Sequence, residues 1–194
     1  MHIALSRVPE TPDARLAAVD TALINGEVDR ARELALTVLT DAKSRMDPLF
    51  EARALSCLAH CDRIDSRLRR ATETSRSAAQ LFEQLGDTAG EAKALMTLAQ
   101  VSMLLGRNEE AVEAALLSVQ LCNLQPPQPL AVLALNSLGL AYSWSGDHER
   151  AYASLETAVD VARRCEPPIS VYQPRLNQMW VEASRLVDER YHTG

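Results

Sequence analysis

Aromatic residues are scarce, two Phe, two Trp and four Tyr, or 4% of a 194-residue chain that is 47% hydrophobic. A core built without large rings must come from Ala and medium aliphatic side chains, which means closely packed helices. The seven glycines are too few and too scattered to assemble a dinucleotide fingerprint or a phosphate loop. Cysteine is limited to Cys57, Cys61, Cys122 and Cys165, at irregular spacings that suit neither a disulfide framework nor a four-ligand zinc site. A reducing cytoplasm is the expected setting, and the opening MHIALSRVPETPDARL lacks the apolar stretch of a secretory signal. No apolar run reaches the roughly 18 residues that a membrane-spanning helix needs. Positive charge is not in excess, because 20 Lys and Arg face 26 Asp and Glu for a net charge of −6. Without clustered cations a nucleic-acid partner is not expected.

What the chain does have is a period. Alanine recurs every 40 residues at Ala31, Ala71, Ala111 and Ala151, and Leu58, Leu98 and Leu138 keep the same register. So do Ala59, Ala99 and Gly139, as well as Gly26, Gly106 and Gly146, where Ser66 is the exception. Several alignments in one register mark a helical-repeat protein. Apolar residues return at three- and four-residue steps, placing helices at 11–25, 27–45, 48–64, 66–85, 88–105, 107–123, 128–145 and 147–164, with a ninth at 170–190. Gly26, Gly106 and Gly146 stand where a helix ends in a left-handed residue. Acids at Glu27, Asp29, Glu109, Glu110, Asp147 and Glu149 favour the start of the next helix. Between units stand Asp47-Pro48, Gly86-Asp87, Pro126-Pro127 and Pro167-Pro168, consistent with helix breaks. The expected organisation is one domain over 1–194, with units at 11–46, 47–86, 87–126 and 127–166.

The fourth unit reads Leu135, Leu138-Gly139, Tyr142, Ala151, Leu155 and Pro167, and the third reads Leu95, Leu98-Ala99, Ser102, Ala111, Ala115 and Pro127. These residues resemble the tetratricopeptide repeat pattern, although that family's unit is shorter, about 34 residues. The second unit departs from it at Asp62 and Ser75, and the first keeps little beyond Ala31 and Ala35. The resemblance implies an all-α, right-handed αα superhelix of four helix pairs plus a C-terminal helix. It implies that Gly139 marks a close helix crossing, so that Gly139→Leu is disruptive. The longer unit is similar to bacterial regulatory tetratricopeptide regions, including those N-terminal to GGDEF diguanylate cyclase domains, although no such catalytic motif occurs in these 194 residues.

Candidate chemistry is sparse. Cys57 and Cys61 lie one helical turn apart beside His60, but with no second pair to complete four ligands the expectation is buried thiols and no metal. His2, His60, His148 and His192 have no oriented nucleophile nearby, so the chain is expected to be non-catalytic and to carry no cofactor. Arg67, Arg69, Arg70 and Arg76 form the densest basic stretch, interleaved with Asp65 and Glu73. It reads as a solvated helix face, or else as a dock for an acidic segment. The first helices of such repeats line an inner groove, here expected from Arg53, Ser56, His60, Lys93, Met96, Gln100, Met103, Asn136, Leu140 and Ser143. That groove suits a protein or peptide segment. Met96 and Met103 read as packing before contact, and Trp144 and Trp180 as core before contact. The last helix carries an apolar stripe, Tyr172, Leu176, Met179, Trp180, Ala183 and Val187, expected to be buried as a cap. The competing expectation is a homodimer through this helix, with Trp180 and Tyr191 in the contact. Two functional classes remain: a regulatory or sensory module N-terminal to an output domain, and a free-standing adaptor. Whether the natural reading frame continues past Gly194 separates them.

Overall fold

A computed structural model describes residues 11–122 and 126–192, with side chains described as far as residue 186. Among the described residues there are nine helices and no strand. The helices are α1 (Pro12–Ile24), α2 (Val28–Arg45), α3 (Pro48–Ile64), α4 (Leu68–Leu85), α5 (Thr88–Leu104), α6 (Asn108–Leu121), α7 (Pro129–Trp144), α8 (His148–Arg164) and α9 (Tyr172–His192). All of these lie within two residues of the bounds read from periodicity. The chain divides into two compact units, Met1–Gly86 and Asp87–Gly194.

In the first unit α1 packs on α2 and α3 on α4, and the two hairpins meet through α2 with α3 and α1 with α3. In the second, α5 pairs with α6 and α7 with α8, α7 also packs on α5 and α6, and α9 lies against α7 and α8. The same turn closes all four hairpins. Gly26, Ser66, Gly106 and Gly146 adopt positive φ (75°, 58°, 70° and 84°). The next residue then donates its amide back to the helix just ended: Glu27 to Ala22 O, Arg67 to Asp62 O and Arg107 to Ser102 O at 2.8 Å, and Asp147 to Tyr142 O at 2.9 Å. These bonds satisfy carbonyls that a helix end otherwise leaves orphaned.

The 40-residue alanines are the centres of the hairpins. Ala31, Ala71, Ala111 and Ala151 are all fully buried. The tightest crossing is in the fourth hairpin, where a Cβ added to Gly139 would stand 2.6 Å from Leu155 Cγ and 3.1 Å from the Ala151 carbonyl oxygen. Glycine is therefore the residue that lets α7 approach α8 while Leu155 fills the space beside it. One period earlier the corresponding residues are Ala99 and Ala115, and two periods earlier Ala59 and Ser75, all buried. Size is traded across the crossing.

Helix α9 departs from expectation. It buries Pro174, Asn177 and Val181, whereas Tyr172, Leu176, Met179, Trp180 and Ala183 are exposed. Val187, the last residue of the expected stripe, has a side chain outside the described residues. The cause is register: Pro174, Asn177 and Val181 stand 40 residues after Ala134, Ser137 and Ala141, the α7 residues buried in the same stack. Position in the repeat, rather than the most apolar stripe, orients α9. Trp144 is likewise 47% exposed at the end of α7 instead of lying in the core.

Candidate functional site

In the first unit the first helices α1 and α3 carry a charged face. Arg53, exposed on α3, bonds Asp13 of α1 (Nη1 to Oδ1, 3.0 Å) and lies over the Phe50 ring, 5.7 Å from its centre. Ser56 and His60 are half-buried on the same helix. Burial holds His60 below the ordinary imidazole value, the Arg63 charge lowers it further, and Asp20 of α1 opposes them. Cys61 is fully buried, and burial pushes its thiol upward, away from reactive thiolate. Burial has the same effect on Cys122. Among the described residues no group of three or more His, Cys, Asp and Glu is placed to hold a metal ion.

Behind that face lies a polar cluster that the composition of the basic stretch only hinted at. Asp62, fully buried at the end of α3, accepts from the Arg32 guanidinium of α2, which also donates to Asp65 at 2.5 Å. Arg70 Nε of α4 stands 3.1 Å from Asp62 Oδ2, a charge contact without hydrogen-bond alignment. Arg67 lies 3.7 Å from Asp65 and 4.0 Å from Asp62. Burial lowers the Arg32 pKa, but its bonds and charge contacts with the two aspartates outweigh that and raise it above the ordinary value. Two arginines of the basic stretch thus face an internal acid pair. The sequence signal was Asp62 itself, a carboxylate where the repeat pattern has Tyr.

In the second unit the predicted groove residues separate into two sets. Lys93 is exposed, and Gln100, Asn136 and Leu140 are half-buried, so these four reach the surface of α5 and α7. Met96, Met103 and Ser143 do not line an open groove: they are 8%, 5% and 7% exposed. Met96 packs in a cluster with Ala131, Leu135, Ala162 and their neighbours, filling the space between α5 and the last hairpin. Asn136 is committed as well. Its Oδ1 accepts from Asn177 Nδ2 of α9 at 2.8 Å, while Gln173 Nε2 donates to Asn177 Oδ1 at 3.3 Å. This amide chain ties α9 to α7. Asn177 is the contact residue that sequence reasoning missed, and its separation of 41 from Asn136, one period plus one, was the available clue.

On the outer side of α9 the apolar residues form an open strip. Tyr172 and Met179 are 70% exposed, Leu176 44%, and Trp180 and Leu186 49%. Surface hollows flank the strip, one lined by Ile169, Tyr172 and Leu176, the other by Tyr152 of α8, Glu182 and Leu186; Arg175 and Met179 border both. Trp180 is therefore available for a contact, and the Tyr191 side chain lies outside the described residues. No described helix is long and apolar enough to cross a membrane.

Residues 132–165, which hold Gly139, Tyr142, Ala151 and Leu155, match the tetratricopeptide repeat family model. No curated relative matches the chain. Among solved structures, the chain is similar to the nearly identical TPR-like repeats assigned to a kinesin light chain of Podosopora anserina (17% identity, 96% of this chain and 100% of that one, TM-score 0.65). It is similar also to BtubC (BKLC) from P. vanneervenii (19% identity, 90% and 77% of the two chains, TM-score 0.67). MamA is a third such structure (19% identity, 90% and 88%, TM-score 0.54). At these identities the likeness concerns fold. The protein has a TPR-like repeat fold, with a tetratricopeptide repeat recognisable in sequence at 132–165.

Proposed function

We propose that the protein is a non-catalytic interaction module that holds a protein or peptide segment on the exposed part of its first helices, and that it serves as a regulatory part of a bacterial signalling protein. The observation that carries the reading is the TPR-like fold itself, in which α5 pairs with α6 and α7 with α8, since repeats of this kind hold partners on an extended surface. In the second unit that face offers a cation at Lys93, an amide at Gln100 and apolar surface at Leu140. These suit an extended segment carrying an acidic and an apolar group. The regulatory part of the reading rests on the resemblance of the long repeat to regions preceding GGDEF cyclase domains. Such output domains work in pairs, so self-association through α9 belongs to the same reading. A free-standing adaptor differs only in lacking an output domain, and the natural reading frame decides between them.

The groove is tested with peptides selected by phage display on the wild-type chain and titrated against variants. Lys93→Glu with Gln100→Ala is expected to weaken the selected peptide roughly ten-fold or more. Asn136 is a poor probe because its amide anchors α9. Unchanged binding in that variant, with loss on changing second-helix residues such as Tyr152, overturns the assignment.

A further inference from the structure

Five exposed apolar residues of α9 follow a strict alternation. Tyr172, Leu176, Met179, Ala183 and Leu186 are spaced 4, 3, 4 and 3, the spacing of a coiled-coil seam. The opposite side of the helix, Pro174, Asn177 and Val181, is the one packed inward. The seam therefore points outward over its length, and Arg175 and Glu182, seven residues apart, border it on one side; Glu182 Oε1 accepts from Arg185 of its own helix at 2.6 Å, which leaves Oε2 for a charge on a second copy. Trp180 borders it on the other.

What covers this seam is constrained by the repeat register. If another hairpin helix packed on α9 as α8 packs on α7, the close-approach position now held by Gly139 would fall on Met179, and Leu135 and Tyr142 would be replaced by Arg175 and Glu182. A long side chain at the crossing, flanked by charges, does not admit that packing. A helix meeting α9 seam to seam needs no such close approach. The same sequence run antiparallel supplies that partner, because the seam and its charges are self-complementary.

We propose that two copies of the chain dimerise through antiparallel α9 helices, in the register that sets Leu176 against Met179 of the second copy and Tyr172 against Ala183. In antiparallel pairs like-positioned flanks face each other, so this register brings Arg175 of each copy opposite Glu182 of the other, twice by symmetry. It also lays Trp180 over Gln173 of the second copy. Sliding the helices by one heptad sets Glu182 against its own copy, and a parallel arrangement pairs neither charge. The charge pattern thus selects both direction and register. This inference deepens the self-association named above and rests on that part of the reading, while being independent of the peptide-binding face.

The test is sedimentation velocity of the full 194-residue chain over a dilution series, with circular dichroism confirming the fold of each variant. Wild type is expected to be a dimer that dissociates on dilution. Glu182→Arg makes both symmetry-related pairs like-charged and is expected to weaken the dimer roughly 100-fold. Adding Arg175→Glu to that variant exchanges the charges and is expected to restore it. A chain monomeric at every concentration overturns the proposal, as does a dimer indifferent to Glu182→Arg, or one not recovered by the exchange. Peptide titration of the same variants keeps the two readings apart: a monomer that still binds its peptide refutes the dimer alone, and a dimer without peptide affinity refutes the groove alone.

Discussion

The second hairpin of the first unit and the second hairpin of the second unit use one backbone register for opposite chemistry. In the α7 and α8 pair, Gly139 meets Leu155, and Tyr142 offers its ring to the Arg150 guanidinium at 5.7 Å. Eighty residues earlier the α3 and α4 pair has Ala59 and Ser75 at the crossing, and Asp62 faces Arg70 at 3.1 Å. The arginine keeps its place while its partner changes from a π face to a carboxylate. The difference teaches that a repeat position specifies geometry, and that a buried charge there is tolerated only when other elements answer it. Here Arg32 from α2 supplies that answer, so the carboxylate ties three helices together. Tyr142 needs no such support, because its ring is apolar and only half-buried.

The sharpest way to break this contrast is at Asp62. Asp62→Leu leaves the buried Arg32 without its main partner and is expected to cost about 3 kcal/mol or more of stability, read from urea unfolding. Adding Arg32→Met removes the orphaned charge and is expected to recover most of that loss, giving the first unit an apolar crossing like the second. A neutral Asp62→Leu would mean that Asp65 alone satisfies Arg32.

In the second unit the corresponding break is steric. Gly139→Leu drives a side chain into Leu155 and the Ala151 carbonyl and is expected to cost about 1–3 kcal/mol, toward the upper end, because backbone cannot yield as a side chain can. Combined with Leu155→Ala the loss is expected to shrink. Additive losses in a double-mutant cycle would place the strain elsewhere.

A smaller difference lies in the turns. Gly26, Gly106 and Gly146 hold the left-handed turn at little cost, whereas Ser66 holds it at φ 58° with a Cβ that disfavours the conformation. Ser66→Gly is expected to stabilise the first unit by about 0.5–1 kcal/mol, after the added freedom of the unfolded chain is set against the relief. Gly106→Ser is expected to move the melting temperature down by a similar step.

The least effect is a pH dependence confined to the first unit. His60 occupies the position that Gln100 and Leu140 occupy later in the chain, and only His60 titrates. Its folded-state pKa lies below the unfolded value of about 6.5, chiefly through burial. The unfolded state therefore binds the proton more readily, so this contribution to stability is present above about pH 6.5 and falls away as pH drops toward the folded value. Denaturant midpoints of wild type and His60→Gln are expected to diverge slightly from about pH 7 to pH 5. Parallel curves would show that Asp20 offsets the burial.

Much of this was legible because it is local. Helix ends were marked by left-handed glycines and by breaks such as Gly86-Asp87, where the Asp87 side chain accepts from the Gly90 amide at 2.9 Å. Hairpin centres were marked by small residues at a fixed period. The candidate site was less legible, since a first-helix position can be either surface or core. Met96 and Lys93 are one turn apart on α5, yet one is sealed in a cluster and the other exposed. The choice depends on whether a neighbouring hairpin fills the space beside each, which no single helix encodes.

The sequence by itself determined the 40-residue unit, the described helices and the glycine turns, because hydrogen bonding and sterics within a few residues decide each of them. Tertiary structure decided which of two signals in the sequence orients α9, its repeat register or its apolar stripe, and it alone decided the fate of Asp62. An apolar stripe is buried only where another element meets it, and α7 meets α9 through Asn136 and Asn177, leaving the stripe outside. A carboxylate survives burial only where cations converge from elsewhere, and those came from α2 and α4, up to 30 residues distant in the chain.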